Sequence, residues 1–375
     1  MMTGLDTPNA DLQWDVLTIR RKGLARDLPP GKEELQWVAN SVTLIYGKRD
    51  AVLVDTFLTI EQSQTLLNWI VESGKNLTAI YITHGHGDHF FGLSSLLERF
   101  PHAKAVATPE IVKAMHEHIS PDKIENFWRR LFPGEIADHL LVAEPLENNE
   151  LELEGHKLVA VNAGRTDTAH STCLHVPSIG LIVAGDAVYN GIHPYLGETD
   201  AQSRLEWIST LDKLEALKPK AVIAGHKVPE NDDDPRNIAE TRQYLHDFNR
   251  LNTATSTARE LYNAMLEIYP DRVNPGSLWS AANILKKNTY SPPQAETGKS
   301  EGILELMTWP AANLRRPAPL CAAHAMQPDI PTAMSAVSLL YPHEPTSSFR
   351  RARSEKCRFC CESRKLHRSE FLVKS

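Results

Sequence analysis

The sequence predicts an α/β protein of four layers, two β-sheets covered by helices on their outer faces, with a disordered tail behind them. Three observations predict it. Short apolar, β-branched runs alternate with segments of helical periodicity in both halves of the first 270 residues. Two of those runs end in glycine followed by a histidine or an aspartate. Beyond residue 310 the apolar period is lost, and seven prolines fall between Pro310 and Pro345.

Taken in order, residues 41–46 and 51–54 are two apolar strands joined by Gly47, Lys48, Arg49 and Asp50, a hairpin by turn composition. Ile60, Leu66, Leu67, Ile70 and Val71 recur at helical spacing, and Gly74 stands where such a helix stops. Residues 77–83 form a strand that delivers the chain into the polar loop 84–89. Leu93, Leu96, Leu97 and Phe100 then stripe a helix ended by Pro101. A strand over 104–108 and a helix over 110–118 follow. In the second half, 157–161, 171–176 and 181–184 read as strands. Leu205, Ile208, Leu211, Leu214 and Leu217 line a helix stopped by Pro219, and 220–224 is a strand ending at Gly225 and His226. Helices are expected over 236–251 and 257–268. The domain expectation is a main domain over 1–270, a helical extension over 271–310 and a tail over 311–375.

Composition narrows the function. With 375 residues, 42% of them hydrophobic and 23% charged, the chain can bury a large core. No uncharged apolar run approaches the roughly 20 residues a membrane helix needs. Residues 1–310 carry 29 basic against 42 acidic side chains, and residues 311–375 carry 11 against 5. The acidic body argues against nucleic acid as a partner, because such affinity rests on a Lys/Arg surface. Asp6, Asp11 and Asp15, with no basic or apolar core around them, are unlike a secretory leader, so a cytoplasmic address is expected. Only Cys173 lies in the body, while Cys321, Cys357, Cys360 and Cys361 lie in the tail, so no disulfide framework is expected to hold the fold. A small-molecule substrate is the expected partner, with neither nucleic acid nor membrane.

The chemistry concentrates in Thr83-His84-Gly85-His86-Gly87-Asp88-His89. Three imidazoles and a carboxylate within six residues are zinc-type ligands, and they can converge if Gly85 and Gly87 let the backbone turn sharply. Asp186 in Ala184-Gly185-Asp186 and His226 in Ala224-Gly225-His226 each end an apolar strand behind a glycine. All three segments can meet at one rim.

On these residues the chain resembles the metallo-β-lactamase superfamily, whose His-x-His-x-Asp-His motif stands complete from His84 to His89, over a region of about residues 17–251. The resemblance implies a four-layer αββα metallo-β-lactamase sandwich and two zinc ions. His84 and His86 would hold the first ion, Asp88, His89 and His226 the second, and Asp186 would bridge them. Two such cations about 3.5 to 4 Å apart acidify a shared water to a pKa near 7. Asp88 is the catalytic candidate, orienting that water or shuttling its proton. Asp55, at the end of the strand over 51–54, resembles the aspartate that supports the metal loop from behind; a turn or capping carboxylate is the competing reading.

One ligand of the pattern is missing. Where the family commonly has Gly-His-Thr, this chain has Gly164-Arg165-Thr166, and arginine offers a charge in place of a lone pair. Three readings follow: His170 takes the ligand role, a single ion remains, or the protein has lost turnover and only binds. Arg165 could alternatively take a substrate carboxylate. Tyr189 and His193, in the stretch after Asp186, are weaker substrate-binding candidates. The expected function is a zinc-dependent hydrolase opening a small lactam, lactone or ester in detoxification or secondary metabolism. The alternative is a catalytically degenerate binding protein of the same fold.

Overall fold

The computed structural model describes residues 12–24 and 27–287, all within the first of the chain's two compact units, Met1–Glu296. The tail expected over 311–375 and the part of the extension beyond Lys287 lie outside the described residues.

The first sheet has six strands in the order β1 (Gln13–Lys22), β2 (Trp37–Tyr46), β3 (Asp50–Val54), β4 (Asn76–Tyr81), β5 (Lys104–Ala107) and β6 (Glu144–Pro145). Its first three strands are antiparallel and the pairings from β3 onward are parallel. The second sheet comprises β7 (Glu150–Leu153), β8 (His156–Gly164), β9 (Ser171–Val176), β10 (Leu181–Asn190) and β11 (Ala221–Lys227), in reverse sequence order across the sheet. Here β7 to β10 are antiparallel and β10 pairs β11 in parallel.

Helices α1 (Ile60–Glu72), α2 (Gly87–Phe90), α3 (Leu93–Arg99) and α4 (Pro109–His118) belong to the first half. A broken segment follows: α5 (Pro121–Lys123), a π-helical turn (Ile124–Trp128) and α6 (Arg129–Leu131). The second half carries α7 (Ala201–Ala216), α8 (Arg236–Ala254), α9 (Ala258–Ile268) and α10 (Pro275–Lys287). Capping boxes start three of them: Thr59 with Gln62 at α1, Asp200 with Ser203 at α7 and Thr257 with Glu260 at α9.

Strand periodicity builds the four layers. Along β3, Ala51 and Leu53 pack with α1, α3 and α4, whereas Val52 and Val54 join a core shared with the second sheet. Along β10, Leu181 and Val183 enter that shared core, and Ile182 and Ala184 pack with α7, α8, α9 and α10. The order is therefore helices, sheet, sheet, helices, the αββα arrangement predicted above.

Several elements differ from the sequence reading: β6 and β7 are additional strands, and β11 runs on to Lys227 with His226 inside it. Strand β1, which ends in Arg20, Arg21 and Lys22, stands outside the sequence reading, yet it pairs with β2 along its whole length. Strand β10 runs on past Ala184 to Asn190 and carries Asp186 inside it. In α1, Ile60 and Val71 are exposed, while Leu66 and Ile70 hold the helix to the core.

Candidate metal centre

The site forms where the two sheets are stitched together. Beyond β4, Thr83 accepts from Thr172 through its carbonyl (N to O 2.9 Å), and His84 bridges to Ser171. This brings the polar loop of one half against β9 of the other. Helix α2 begins at Gly87, so Asp88 and His89 occupy its first turn. Gly85 and Gly87 do not adopt left-handed backbone. Gly85 is needed for closeness, since a Cβ there would lie 2.6 Å from Ala114 Cβ on α4. The left-handed glycine of the site is Gly185 (φ +50°), where the pairing of β10 with β11 slips and turns Asp186 inward.

Two groups of side chains result. His84, His86, Asp167 and Asp186 make one, and Asp88, His89 and His226 the other; within each, the ligand atoms lie within 4.8 Å of one another. Asp186 links them, with Oδ1 3.4 Å from His89 Nε2 and Oδ2 3.1 Å from His226 Nε2. Asp167 Oδ2 lies 3.0 Å from His86 Nδ1 and 4.0 Å from His84 Nε2.

The surroundings orient the imidazoles. His89 Nδ1 lies 3.0 Å from Asp55 Oδ2, and His226 Nδ1 lies 2.9 Å from the Ala39 carbonyl. His84 Nδ1 lies 3.1 Å from Thr83 Oγ1, whose own proton goes to Asp55 Oδ2. Each contact places the ring proton on Nδ1 and leaves the Nε2 lone pair for the centre. Asp88 Oδ2 accepts from Asn40 Nδ2 at 2.8 Å and from Arg21 Nη2 at 3.4 Å. Tyr189 donates to Asp186 Oδ2 at 2.8 Å and stacks on His226.

The fit to metal ions rests on unmet atoms. His84 Nε2, His86 Nε2, His89 Nε2, Asp167 Oδ2 and Asp186 Oδ1 are buried without a hydrogen-bond partner. Leaving so many polar atoms unpaired is costly unless a cation takes the lone pairs. Charge follows the same pattern. Burial opposes protonation of His89, but Asp186 and Asp55 outweigh it and raise its pKa to about 10. Burial disfavours ionised Asp88, yet His89, His226 and Arg21 hold its carboxyl below the usual range. Burial and the neighbouring imidazole of His89 keep His84 well below the usual histidine range.

The structure gathers His84, His86, Asp88, His89, Asp186 and His226, and sets Asp55 behind His89. Tyr189 and His193 are buried and line the cavity beside the groups. Two expectations are corrected. His170 is exposed and lies outside both groups, and Arg165 is exposed and does not line the cavity. The reason is local. Gly164 is left-handed (φ +65°), and Thr166 Oγ1 bonds Asp167 Oδ1 at 2.9 Å and Ser171 Oγ at 2.6 Å, so the loop turns Asp167 inward and leaves its neighbours outside. Asp167 stands outside the sequence reading, because the family pattern leads to a histidine at this place; the signal in the sequence is a carboxylate two residues beyond Arg165. Glu198, with Oε1 3.5 Å from His86 Nε2, and His118, whose ring centroid is 5.3 Å from that of His86, were missed as well.

The cavity over the groups holds about 470 Å³ and is open to a wall formed by the π-helical turn and α10. Among the described residues, no helix is long and apolar enough to cross a membrane.

Comparison with known proteins gives one family. The sequence profile described as the metallo-beta-lactamase superfamily matches residues 35–226. A hydroxyacylglutathione hydrolase of Francisella tularensis subsp. novicida (strain U112) is 37% identical over 108 residues, 26% of this chain and 39% of that protein. Hydroxyacylglutathione hydrolase 1 of Vibrio vulnificus (strain YJ016) is 31% identical over 70 residues, 19% of this chain and 27% of that protein. The chain thus spans between about a quarter and two fifths of the length of these relatives. A crystal structure of a metallo-beta-lactamase family protein from Thermus thermophilus aligns over 73% of this chain and 93% of its own, with a TM-score of 0.49 at 20% identity.

Proposed function

Since this chain belongs to the metallo-beta-lactamase superfamily, we propose that it is a zinc-dependent hydrolase opening a small lactam, lactone or ester. The observation that carries the reading is the pair of adjoining ligand groups whose buried nitrogen and oxygen atoms lack partners at the floor of one cavity. Two ions held there, one by His84, His86 and Asp167, the other by Asp88, His89 and His226, with Asp186 between, would supply an acidified water and stabilise developing oxyanion charge.

The protein's own groups do the rest. Asp88, kept ionised by Asn40, Arg21 and the adjacent imidazoles, accepts the proton of the attacking water and returns it to the leaving atom. Asp55 and the Ala39 carbonyl hold His89 and His226 in the tautomer that ligates. Tyr189 fixes the rotamer of Asp186. The hydroxyacylglutathione hydrolases among the relatives add thioesters to the substrates worth assaying.

The alternative, a protein that binds without turnover, drew its support from Arg165 in a ligand position. With Arg165 exposed and Asp167 facing His84 and His86, that support is gone. The test is hydrolysis of a panel of lactams, lactones, esters and thioesters after zinc loading, alongside metal analysis. Turnover with zinc bound supports the proposal. Full loading with no turnover on any member overturns it and restores the binding protein, and tightly held iron overturns the zinc assignment.

A further inference from the structure

Outside the two metal groups, the unpaired buried polar atoms of the cavity-lining residues are Arg21 Nε, His118 Nδ1, Trp128 Nε1 and His193 Nε2. All are nitrogens. Among the described residues, no fully buried side-chain oxygen of the lining outside those groups is left without a partner.

His193 is fully buried, and its Nδ1 lies 2.9 Å from Tyr244 Oη. That contact is the single hydrogen bond of the Tyr244 hydroxyl among the described residues, so the phenolic proton has one acceptor, His193 Nδ1. The remaining proton of the neutral ring then sits on Nε2, which becomes a donor. Arg272 keeps a second proton away: its guanidinium stacks 5.0 Å from the Tyr244 ring centroid and donates to the Ile192 carbonyl at 2.8 Å. Burial first, and then this charge, hold His193 well below the usual histidine range. Trp128 is 7% exposed, and its indole can only donate. The same cavity also presents apolar side chains. Phe127, 46% exposed, and Ile284, 37% exposed, would be covered by a ligand lying in the cavity.

We infer that the non-reacting part of the substrate is an apolar body bearing an acceptor oxygen for the N–H group of His193, in a cavity that Trp128 also lines with an unmet donor. Calling this ligand a substrate rests on the hydrolytic reading above; its binding does not. An acyl chain or ring with a further carbonyl fits, because the unmet donor of His193 then gains a partner.

The test compares 4-nitrophenyl hexanoate with its 4-oxo and 5-oxo analogues on the zinc-loaded full chain. For at least one oxo ester the expected KM is about fivefold to tenfold lower than for the plain ester, at similar kcat. His193→Phe should abolish this preference and His193→Gln, which keeps a donor, should retain part of it. A second readout needs neither turnover nor a variant. In protein labelled with ¹⁵N-histidine, His193 should show a protonated Nε2 and a bare Nδ1, and the Nε2–H signal should shift on adding 4- or 5-oxohexanamide and stay in place with hexanamide. A proton on Nδ1, or an Nε2–H signal indifferent to all three amides, overturns the inference, as does an oxo preference that survives His193→Phe. The amide-dependent shift without hydrolysis of any ester would support the pocket assignment and count against the hydrolytic reading alone.

Discussion

Asp167 and Arg165 stand two positions apart and have opposite consequences. The carboxylate of Asp167 is fully buried against His84 and His86, where burial pushes its pKa up while the neighbouring imidazole of His86 pulls it down, whereas Arg165 is exposed. Asp167→Asn removes the charge and keeps the shape. It should lower affinity for one of two ions by at least about 10- to 100-fold, the loss typical of disturbing even an outer partner of a ligand. Arg165→His should leave stoichiometry and activity unchanged. Zinc titration with a competing chelator checks both, and a gain of metal in Arg165→His would show that Asp167 is not the ligand. Asp55 offers a cleaner test of orientation. It has left-handed backbone (φ 62°), which asparagine also tolerates, and it accepts from Thr83 N and Thr83 Oγ1 at 2.8 Å each as well as meeting His89. Asp55→Asn puts an amide N–H₂ against one of these donors, so metal affinity should fall by about 10- to 100-fold with the fold retained by circular dichroism.

Among the elements, β10 carries the greatest constraint. Its ten residues are all buried, and its pairing with β11 shifts on both sides of Gly185. A Cβ at Gly185 would stand 2.6 Å from Thr83 Oγ1, besides requiring left-handed backbone of an L-residue. Gly185→Ala should therefore destabilise by about 2–5 kcal/mol, read from the urea midpoint at unchanged slope. A loss under about 0.5 kcal/mol would show that the bulge adapts. The same strand shows what was legible in the sequence. Gly185-Asp186 and Gly225-His226 behind apolar residues marked two ligand positions on neighbouring strands, although both lie inside their strands and not at the ends, and the compact 84–89 stretch marked a metal loop, because both signals are local. The presence of a carboxylate near Arg165 was legible, but the inward direction of Asp167 was not, since it depends on Gly164, Thr166 and Ser171 acting across a loop. Strand β1 was hidden by Arg20, Arg21 and Lys22, whose burial alternates with exposure along a sheet edge. The cavity wall was equally hidden, because α10 and the π-helical turn meet only through tertiary packing.

At the scale of the whole molecule, the two sheets must keep their relation if the two ligand groups are to stay in register, and one carboxylate outside those groups joins them. Glu154, in the turn between β7 and β8 of the second sheet, accepts from the backbone N–H groups of Lys48, Arg49 and Asp50 in the β2–β3 turn of the first, at 2.9, 2.6 and 2.8 Å. Those three donors favour the ionised form and lower its pKa from the usual 4.5 to about 2. For an acid whose pKa falls on folding, the stabilisation is fully present above the unfolded value and is lost as pH drops toward the folded one. The contribution of Glu154 should thus be constant above about pH 5 and disappear between about pH 4.5 and 2. Glu154→Gln retains the size and one carbonyl but removes the charge. Its melting temperature should lie below that of the parent chain at pH 7, and the gap should close as pH falls through that window. The comparison is best made on zinc-free protein, because bound metal adds a stabilisation of its own, about 2.7 kcal/mol at a hundredfold excess over Kd, that acid also removes. A gap that stays constant from pH 7 to 2.5 would show that the tie between the sheets does not depend on this charge.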